Sequence, residues 1–466
     1  MDCEANTSFL VTHQEDFQKP APVRWSISRV LGNGVFLAEG SEHRHQRKIL
    51  EPAFSFRHIK NLYPVFWSKA AESVEAMTSQ MLSSPDPAVP FPDYPGSNDG
   101  EKLESTRMDT QSVLEVDGWA FRLSLDIIGA AGLGRDFGAV RDPENPLGKA
   151  YHDVYKPTGQ ALILDLLYLI LPGPIVNLIP ARRNIEYVQA AKTIKGICRD
   201  IIREKRAILA RKKPLDGDSE PDRDITSVLL RSTRLDDEAV LAQMTTFLAA
   251  GHEAPAAAFT WAVYLLCLHP EVQSRLRAEV RAHLPSPSDR TRTIVASEID
   301  SLPYLTAVCY EVLRFMAPSP LTIREAVNDT TVAGEFVPKG TYIMLCLWAT
   351  NRNTALWGTD AGRFNPDRWI TTVTDPETGH RSVRVSGSGG ADSNYAFMTF
   401  LQGRKNCIGQ NFAVAELACV LANWIGRFEF TLKNPADTTN LEINRGGVTM
   451  RPAHGLYVNT KVIHGW

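Results

Sequence analysis

Apolar positions recur at helical spacing through most of the chain, which predicts a mainly α protein. The longest such run follows an Asp cap at Asp236, extends to His269 and is apolar on most sides, so we expect it to cross the middle of the fold. Pro270 suits the first turn of a following helix, and another helix is predicted over Ser297–Phe315. Only Leu321–Leu347 has the pattern of short strands joined by glycine-containing turns. The pattern therefore indicates a mainly α fold with a small β component.

Three polar stretches predict surface loops because they are rich in Pro, Gly, Ser, Asp and Glu: Ser83–Thr110, Arg211–Asp224 and Thr374–Ser393. No internal repeat and no linker divides the chain. We therefore expect one large domain over residues 1–466.

One apolar stretch, Ala161–Pro180, approaches the length of about 20 residues that a membrane-spanning helix needs. Asp165, Pro172 and Pro174 interrupt it, which favours a buried helix followed by an apolar loop over a membrane span. An element that dips into a bilayer surface is the alternative.

Composition narrows the class of protein. Of 466 residues, 44% are hydrophobic and 22% are charged, which is typical of a soluble globular enzyme. The net charge of -3 gives no reason to expect a nucleic-acid partner. Seven scattered cysteines, an odd number, suit a reducing compartment better than a disulfide framework.

A single cysteine stands in the stretch FLQGRKNCIGQNFAVAEL, residues Phe400–Leu417. A lone cysteine is usually a packing residue, but the helical spacing after Cys407 places this thiol at a helix start, where N–H groups favour the thiolate. Gly403 and Gly409 would let a flat group approach the backbone. The stretch holds no base for a nucleophile and no CxxC pair for zinc or an iron–sulfur cluster. A thiolate that acts as the only protein ligand points to haem.

This stretch resembles the haem loop of the cytochrome P450 family, and fungal members most closely. The family pattern F-x-x-G-x-R-x-C-x-G is matched by Phe400, Gly403, Cys407 and Gly409. The resemblance implies that Cys407 is the axial ligand of the haem iron. Lys405 stands where the family has arginine, and it keeps the charge without the forked geometry.

Two further motifs match the family in the expected order. Glu311 and Arg314 form its E-x-x-R helix, and Arg368 matches the arginine that completes a structural triad with them. The resemblance also implies that Arg324, Lys405 and Arg47 bind the haem propionates, with His43 in place of a tryptophan.

The long central helix departs from the family pattern A/G-G-x-D/E-T-T/S. The acid is kept as Glu253, whereas Ala254 replaces the threonine that helps to carry protons to bound oxygen. Glu253 either delivers protons with help from water or a substrate hydroxyl, or is a structural carboxylate turned toward solvent. We expect His252 to be a helix-face residue and not a second iron ligand. Pro255 predicts a kink in the helix.

The resemblance implies a single large helical domain with minor β-sheets that binds haem b and uses O2 and electrons from NADPH through a separate reductase, with cytochrome b5 as a second candidate donor. The implied reaction inserts one oxygen atom into a lipophilic small molecule of secondary metabolism. Positions that would face this substrate are Phe247, Ala250, Ala254, Leu321 and Thr322. The alternatives are an isomerase, dehydratase or peroxide-using enzyme of the same fold, and an inactive, truncated haem-binding protein.

The resemblance suggests the cytosolic face of the endoplasmic reticulum membrane. Residues Met1–Lys19 are polar and acidic, so they predict no signal peptide or anchor, and we expect the family's N-terminal portion to be missing. We expect a monomer whose membrane contact, if any, is peripheral.

Overall fold

The computed structural model describes residues 6–83, 111–155, 158–211, 224–232, 235–289, 291–374, 381–444 and 448–466. The predicted loop Ser83–Thr110 lies outside the described residues after its first position, and Arg211–Asp224 does so between its two ends.

Helices form most of the described structure. They are α1 (Ala21–Leu31), α2 (Gly40–Leu50), α3 (Phe56–Lys60), α4 (Tyr63–Ser83), α5 (Val116–Ile127), α6 (Pro146–Tyr155), α7 (Gly159–Ile170), α8 (Gly173–Leu178), α9 (Arg182–Arg211), α10 (Ile225–Ser232), α11 (Asp237–Leu268), α12 (Pro270–His283), α13 (Ala296–Asp300), α14 (Pro303–Phe315), α15 (Leu347–Thr350), α16 (Thr354–Trp357), α17 (Gln410–Arg427) and α18 (Asp437–Asn440).

The strands are short and antiparallel. They are β1 (Phe17–Gln18), β2 (Gln111–Glu115), β3 (Leu321–Ala326), β4 (Thr330–Val332), β5 (Glu335–Val337), β6 (Tyr342–Cys346), β7 (Ile370–Thr374), β8 (Arg381–Val385), β9 (Phe428–Leu432) and β10 (Tyr457–Val462). They form two three-stranded sheets, β1-β3-β6 and β2-β10-β9, and two hairpins, β4-β5 and β7-β8. The predicted fold class, mainly α with a small β component, is confirmed.

Helix α11, the longest helix in the described part of the chain, is buried over most of its length. Its Asp236 cap accepts a hydrogen bond from the Ala239 N–H at 2.8 Å, and most of its residues are buried between α5, α9 and α17. Pro270 opens α12 directly afterwards. The predicted central helix and the helix that follows it are therefore confirmed.

Three sequence predictions about local structure are wrong. Ser297–Phe315 is not one helix, because α13 ends at Asp300 and Pro303 starts α14. The predicted loop Thr374–Ser393 contains strand β8, which pairs with β7. The apolar stretch Ala161–Pro180 folds as parts of α7 and the whole of α8, and it is not buried as expected, since six of its large apolar side chains are exposed: Leu162, Ile163, Leu166, Ile170, Ile175 and Leu178.

Glu416 is a buried carboxyl group inside α17. The residue is fully buried, and neither carboxyl oxygen has a hydrogen-bond partner among the described residues. Burial therefore raises the pKa of Glu416 well above its usual value. Between the pKa of Glu416 in the unfolded chain and its higher pKa in the folded protein, the folded state holds a proton that the unfolded chain releases.

We expect Glu416→Gln to stabilise the protein increasingly as pH rises. Below the unfolded pKa of Glu416 the carboxyl group is protonated in both states, so its burial as a neutral group makes stability independent of pH. Above that pKa the unfolded chain releases the proton first, so the wild-type protein loses stability as pH rises. One proton corresponds to at most about 1.4 kcal/mol per pH unit. Urea unfolding between about pH 5 and pH 8 measures the effect, with Glu335→Gln, an exposed position in β5, as the control. A pH-independent difference between Glu416→Gln and wild type would contradict the expectation.

Candidate active site

Cys407 lies in a loop that leads into α17. Its backbone N–H donates to the Phe400 carbonyl at 2.8 Å, which closes the loop, and α17 starts three residues later after its N-cap Gly409. The cysteine is surrounded by protein, yet it is exposed. Cys407 is therefore accessible to a ligand although much of the chain lies around it.

The loop does not by itself favour the thiolate, contrary to the sequence expectation. Burial raises the pKa of Cys407, and the Gly409 N–H and the Arg47 charge, which both lower it, do not compensate fully. A thiol in such a setting ionises when a metal ion coordinates it. The surroundings of Cys407 thus suit a metal ligand better than a free nucleophile.

The two loop glycines differ in what requires them. Gly403 has a φ of +78°, and a Cβ there would lie 2.4 Å from the Leu10 carbonyl oxygen, so glycine is required by conformation and packing. A Cβ at Gly409 would meet only the Cys407 Sγ, at 3.9 Å. Gly403 therefore has a packing role against the N-terminal segment, and its role beside a cofactor stays a prediction.

Arg47, on α2, holds the residue that precedes the cysteine. Its guanidinium donates to the carbonyl and to the side-chain oxygen of Asn406, at 2.7 and 2.8 Å. These two bonds fix the loop beside Cys407 from the helix that the sequence predicts as a cofactor-binding element. They also occupy part of the guanidinium that the sequence assigns to a propionate.

Lys405 lies in a cluster of charges between the loop, β1 and the start of α2. Its ammonium contacts the carboxylate of Glu39 and the Phe17 carbonyl oxygen, the latter at 3.3 Å. The Lys19 ammonium lies 3.6 Å from the same carboxylate, and the Lys19 backbone N–H donates to it at 2.9 Å. Sequence reasoning missed Lys19 and Glu39, because neither belongs to a recognisable motif.

The cluster carries more positive than negative charge. Arg324 is buried next to it and donates to the Thr322 hydroxyl at 2.7 Å. Burial, followed by the charge of Arg324, lowers the pKa of Lys19 to about 8. The carboxylate of Glu39 is thus the counter-charge for three cations, Lys19, Arg324 and Lys405. The cluster therefore has an excess of two positive charges. A buried excess of two positive charges fits a ligand with two carboxylates, and haem has two propionates.

His43 is buried at the edge of this cluster. Burial and then the neighbouring charge of Lys405 lower the pKa of His43 to about 4, so the imidazole is neutral near pH 7. A neutral imidazole contributes a hydrogen-bond donor or acceptor and no charge. Its position next to Lys405, Lys19 and Arg47 agrees with the place that the sequence assigns to it.

Glu311, Arg314 and Arg368 are brought together by the fold. Glu311 accepts two bonds from Arg314, at 2.7 and 2.8 Å, and one from Arg368 at 3.2 Å, and Glu311 and Arg314 are fully buried. The Asn365 N–H and the Trp369 indole N–H also donate to Glu311. Sequence reasoning missed these two donors, although both lie in the RFNPDRW stretch that contains Arg368.

Arg314 joins the triad to the chain that leads to the thiol loop. Its remaining N–H groups donate to three backbone carbonyls, those of Asn351, Ala361 and Arg363, at 2.7 to 2.9 Å. The Asn351 side chain in turn accepts from the Met398 N–H and donates to the Thr399 hydroxyl. The triad thereby fixes the segment just before Phe400.

Helix α11 has a short open stripe in its otherwise buried middle. Ala250 is exposed, and Gly251 and Ala254 are half-buried. Phe247, one turn earlier, is buried with its ring centre 5.3 Å from that of Phe54, so its free surface is small. The helix continues through Pro255 from Asp237 to Leu268, and the kink stays a prediction.

His252 points away from this stripe. It is fully buried among the rings of Phe121, Tyr151 and Tyr155, and its Nδ1 is bonded to the Leu248 carbonyl. The position of the ring agrees with the sequence expectation of a helix-face residue.

Glu253 is neither free nor turned toward solvent. Its buried carboxylate accepts from the Thr449 hydroxyl at 2.5 Å and lies 3.2 Å from the Nε of Arg451. Arg451 also donates to Asp117 of α5 at 2.9 Å. Burial lowers the pKa of Arg451, but the negative charges of Asp117 and Glu253 raise it by more, so the net effect is a raised pKa. The guanidinium therefore stays charged. The solvent-facing reading of Glu253 is therefore wrong.

The two predicted substrate positions on β3 do not share a face. Side chains alternate along a strand, and the hydrogen bond from Arg324 to Thr322 places Thr322 on the side of the charge cluster. Leu321 points to the other face and is 48% exposed. Its neighbours there on β6 are Met344 and Cys346, which are exposed as well. Leu321 and Thr322 thus lie on opposite faces of β3.

A membrane-crossing helix is not found in the described part of the chain, where each helix is too short or too polar to span a bilayer.

Comparison with known proteins gives consistent matches along the chain. A model of the cytochrome P450 family matches residues 1–458. The chain is 41% identical to cytochrome P450 monooxygenase ALT8 of Alternaria alternata, over 99% of this chain and 80% of that relative. It is 42% identical to cytochrome P450 monooxygenase sphH of Aspergillus fumigatus, over 98% and 77%. It is 40% identical to cytochrome P450 monooxygenase FUM15 of Gibberella moniliformis, over 99% and 78%.

Proposed function

This chain belongs to the cytochrome P450 family and is a monooxygenase, and we propose that it inserts one atom of O2 into a lipophilic molecule of secondary metabolism. In this proposal the described fold is one haem domain, Cys407 is the axial ligand of haem b, and a separate reductase delivers electrons from NADPH, with cytochrome b5 as a further donor. The observation that carries the proposal is the exposed Cys407 thiol, enclosed by protein and close to Arg47.

When bound, haem supplies the oxygen chemistry, and thiolate ligation favours O–O cleavage. The residues of the chain hold and orient it. Cys407 supplies the thiolate, and the two excess positive charges of the Lys19, Arg324 and Lys405 cluster balance the propionates. His43 offers a neutral imidazole at the same place. The Glu311 triad keeps the segment before Phe400 in position.

The open stripe of α11 supplies the wall opposite the cofactor in this proposal. Ala250 and Ala254 present only methyl groups, so the wall is apolar and admits a bulky lipophilic substrate. Thr322 approaches from β3, on the side of Arg324. Because Ala254 has no hydroxyl, we propose that ordered water or a substrate hydroxyl relays protons in its place. Glu253 is paired with Arg451 in the structure.

One observation favours a second candidate function. The carboxylate of Glu253 is engaged by Arg451 and Thr449, and residue 254 carries no hydroxyl, so neither side chain of the usual relay is free. An isomerase, a dehydratase or a peroxide-using enzyme has no need of that relay. An inactive haem-binding protein is the third candidate.

Turnover with a library of lipophilic metabolites separates these candidates. We expect product formation to require NADPH, a reductase and O2, and to add one oxygen atom to the substrate, as mass spectrometry of the products under 18O2 measures. Product formed without reductase would favour the second candidate. Haem binding without product under either condition would favour the third.

We also propose peripheral attachment to the cytosolic face of the endoplasmic reticulum membrane. Leu162, Leu166 and Ile170 are spaced by four residues, so they share one exposed face of α7, and α8 adds Ile175 and Leu178. A contiguous apolar surface of this kind partitions into the interfacial region of a bilayer.

We expect the double variant Ile170→Ser/Leu178→Ser to bind vesicles at least about tenfold more weakly. These two side chains are 78% and 82% exposed, and burial of an aliphatic side chain contributes about 1.5–3 kcal/mol. Co-sedimentation with phosphatidylcholine vesicles measures the change. Phe336→Ser, which removes a 67% exposed ring from β5, is the control. Equal loss of binding in the control and the double variant would contradict this location of the contact.

A further inference from the structure

Lys405 and Glu39 form a buried ion pair at the centre of the charge cluster. Their side chains are 10% and 6% exposed, and the ammonium is also bonded to the Phe17 carbonyl. The Lys405 ammonium is therefore already paired with a carboxylate and hydrogen-bonded to a neutral carbonyl of the same chain.

Glu39 in turn joins three segments of the fold. It is the N-cap residue of α2, it accepts from the backbone N–H of Lys19 just after β1, and it contacts Lys405 of the thiol loop. The carboxylate therefore sits where the cofactor carboxylates are expected, and its charge has the same sign. A buried carboxylate in that place repels them unless a cation neutralises it.

We propose that Lys405 is a positioning residue that neutralises Glu39, and that Lys19 and Arg324 bind the cofactor carboxylates. This inference rests on the proposed haem-binding function and reassigns one of its contacts. Lys19 lies farther from Glu39 than Lys405 does, at 3.6 Å, and its ammonium has no closer acceptor among the described residues. Arg324 uses one of its terminal nitrogens for bonds to Thr322 and Ile323, which leaves the other terminal nitrogen for a ligand.

A double-mutant cycle on the haem-loaded protein tests the assignment. The measured quantity is the rate of haem transfer to excess apomyoglobin, which does not depend on turnover. We expect Lys405→Gln to speed haem loss at least tenfold, because Glu39 then loses its closest counter-charge and draws the more distant Lys19 ammonium away from the propionates. We expect Glu39→Gln/Lys405→Gln to return to within threefold of wild type, since it removes both charges.

Lys19→Gln is the matched comparison. If Lys19 binds a propionate directly, its replacement speeds haem loss, and adding Glu39→Gln does not restore the wild-type rate. If Lys405 is itself the propionate ligand, the double variant Glu39→Gln/Lys405→Gln loses haem more than threefold faster than wild type, which overturns the inference.

The double variant decides the question even if Lys405→Gln fails to fold, because it leaves neither charge of the pair buried alone. A purified wild-type chain that takes up no haem would refute the proposed function itself. Haem uptake with rapid loss from the double variant would refute only the role assigned to Lys405.

Discussion

Cys407→Ala is expected to abolish the thiolate-type absorption band of the reduced, carbon monoxide-treated protein. Cys407 is exposed and lies near Arg47, and although burial raises the pKa of the free thiol, coordination by a metal ion would favour the thiolate. Alanine removes the sulfur and leaves no ligand in its place. Cys346→Ala is the control, since Cys346 is also exposed but lies on β6. A thiolate-type band in Cys407→Ala, or its loss in Cys346→Ala, would remove the assignment.

Glu311→Gln is expected to destabilise the protein by about 3–5 kcal/mol, because it leaves the buried Arg314 guanidinium without its counter-charge, whereas Arg368 keeps the Asp360 carboxylate at 2.8 Å. Arg314 and Glu311 are fully buried, and Arg368 is 6% exposed. Water therefore cannot replace the lost charge. Urea unfolding followed by circular dichroism measures the difference.

The control for Glu311→Gln is Asp367→Asn, in the residue next to Arg368. Asp367 pairs with Arg275 at 2.8 Å, but both side chains are more than half exposed, so the expected loss is below about 1 kcal/mol. Similar losses in the two variants would show that burial of the triad does not determine its contribution.

The parts of the fold that the sequence predicts correctly have local signals. Helix α11 combines a long apolar run with an Asp236 cap and a proline directly after its end. The single long helix predicted over Ser297–Phe315 is wrong for a local reason as well. Pro303 favours the first turn of a new helix, and apolar spacing alone hides that break.

The site was harder to predict because its contacts join distant parts of the chain. Glu39 and Lys405 are separated by 366 positions, and Glu253 and Arg451 by 198. Neither pair leaves a periodic or compositional trace. Motif spacing indicated the Glu311–Arg314 pair, whereas a lysine after a short strand, such as Lys19, gave no signal. Which side of α11 stays open could not be predicted from the sequence, because it depends on how the neighbouring elements pack against the helix.

The alternation along β3 has a consequence for engineering selectivity. Even-numbered positions such as Thr322 and Arg324 face the charge cluster, whereas Leu321 faces away with Met344 and Cys346. In a mutant library that randomises consecutive residues of this strand, half of the varied positions would face away from the charge cluster. Changing Thr322 together with Ala250 or Ala254 concentrates the variation on positions that are proposed to face the substrate.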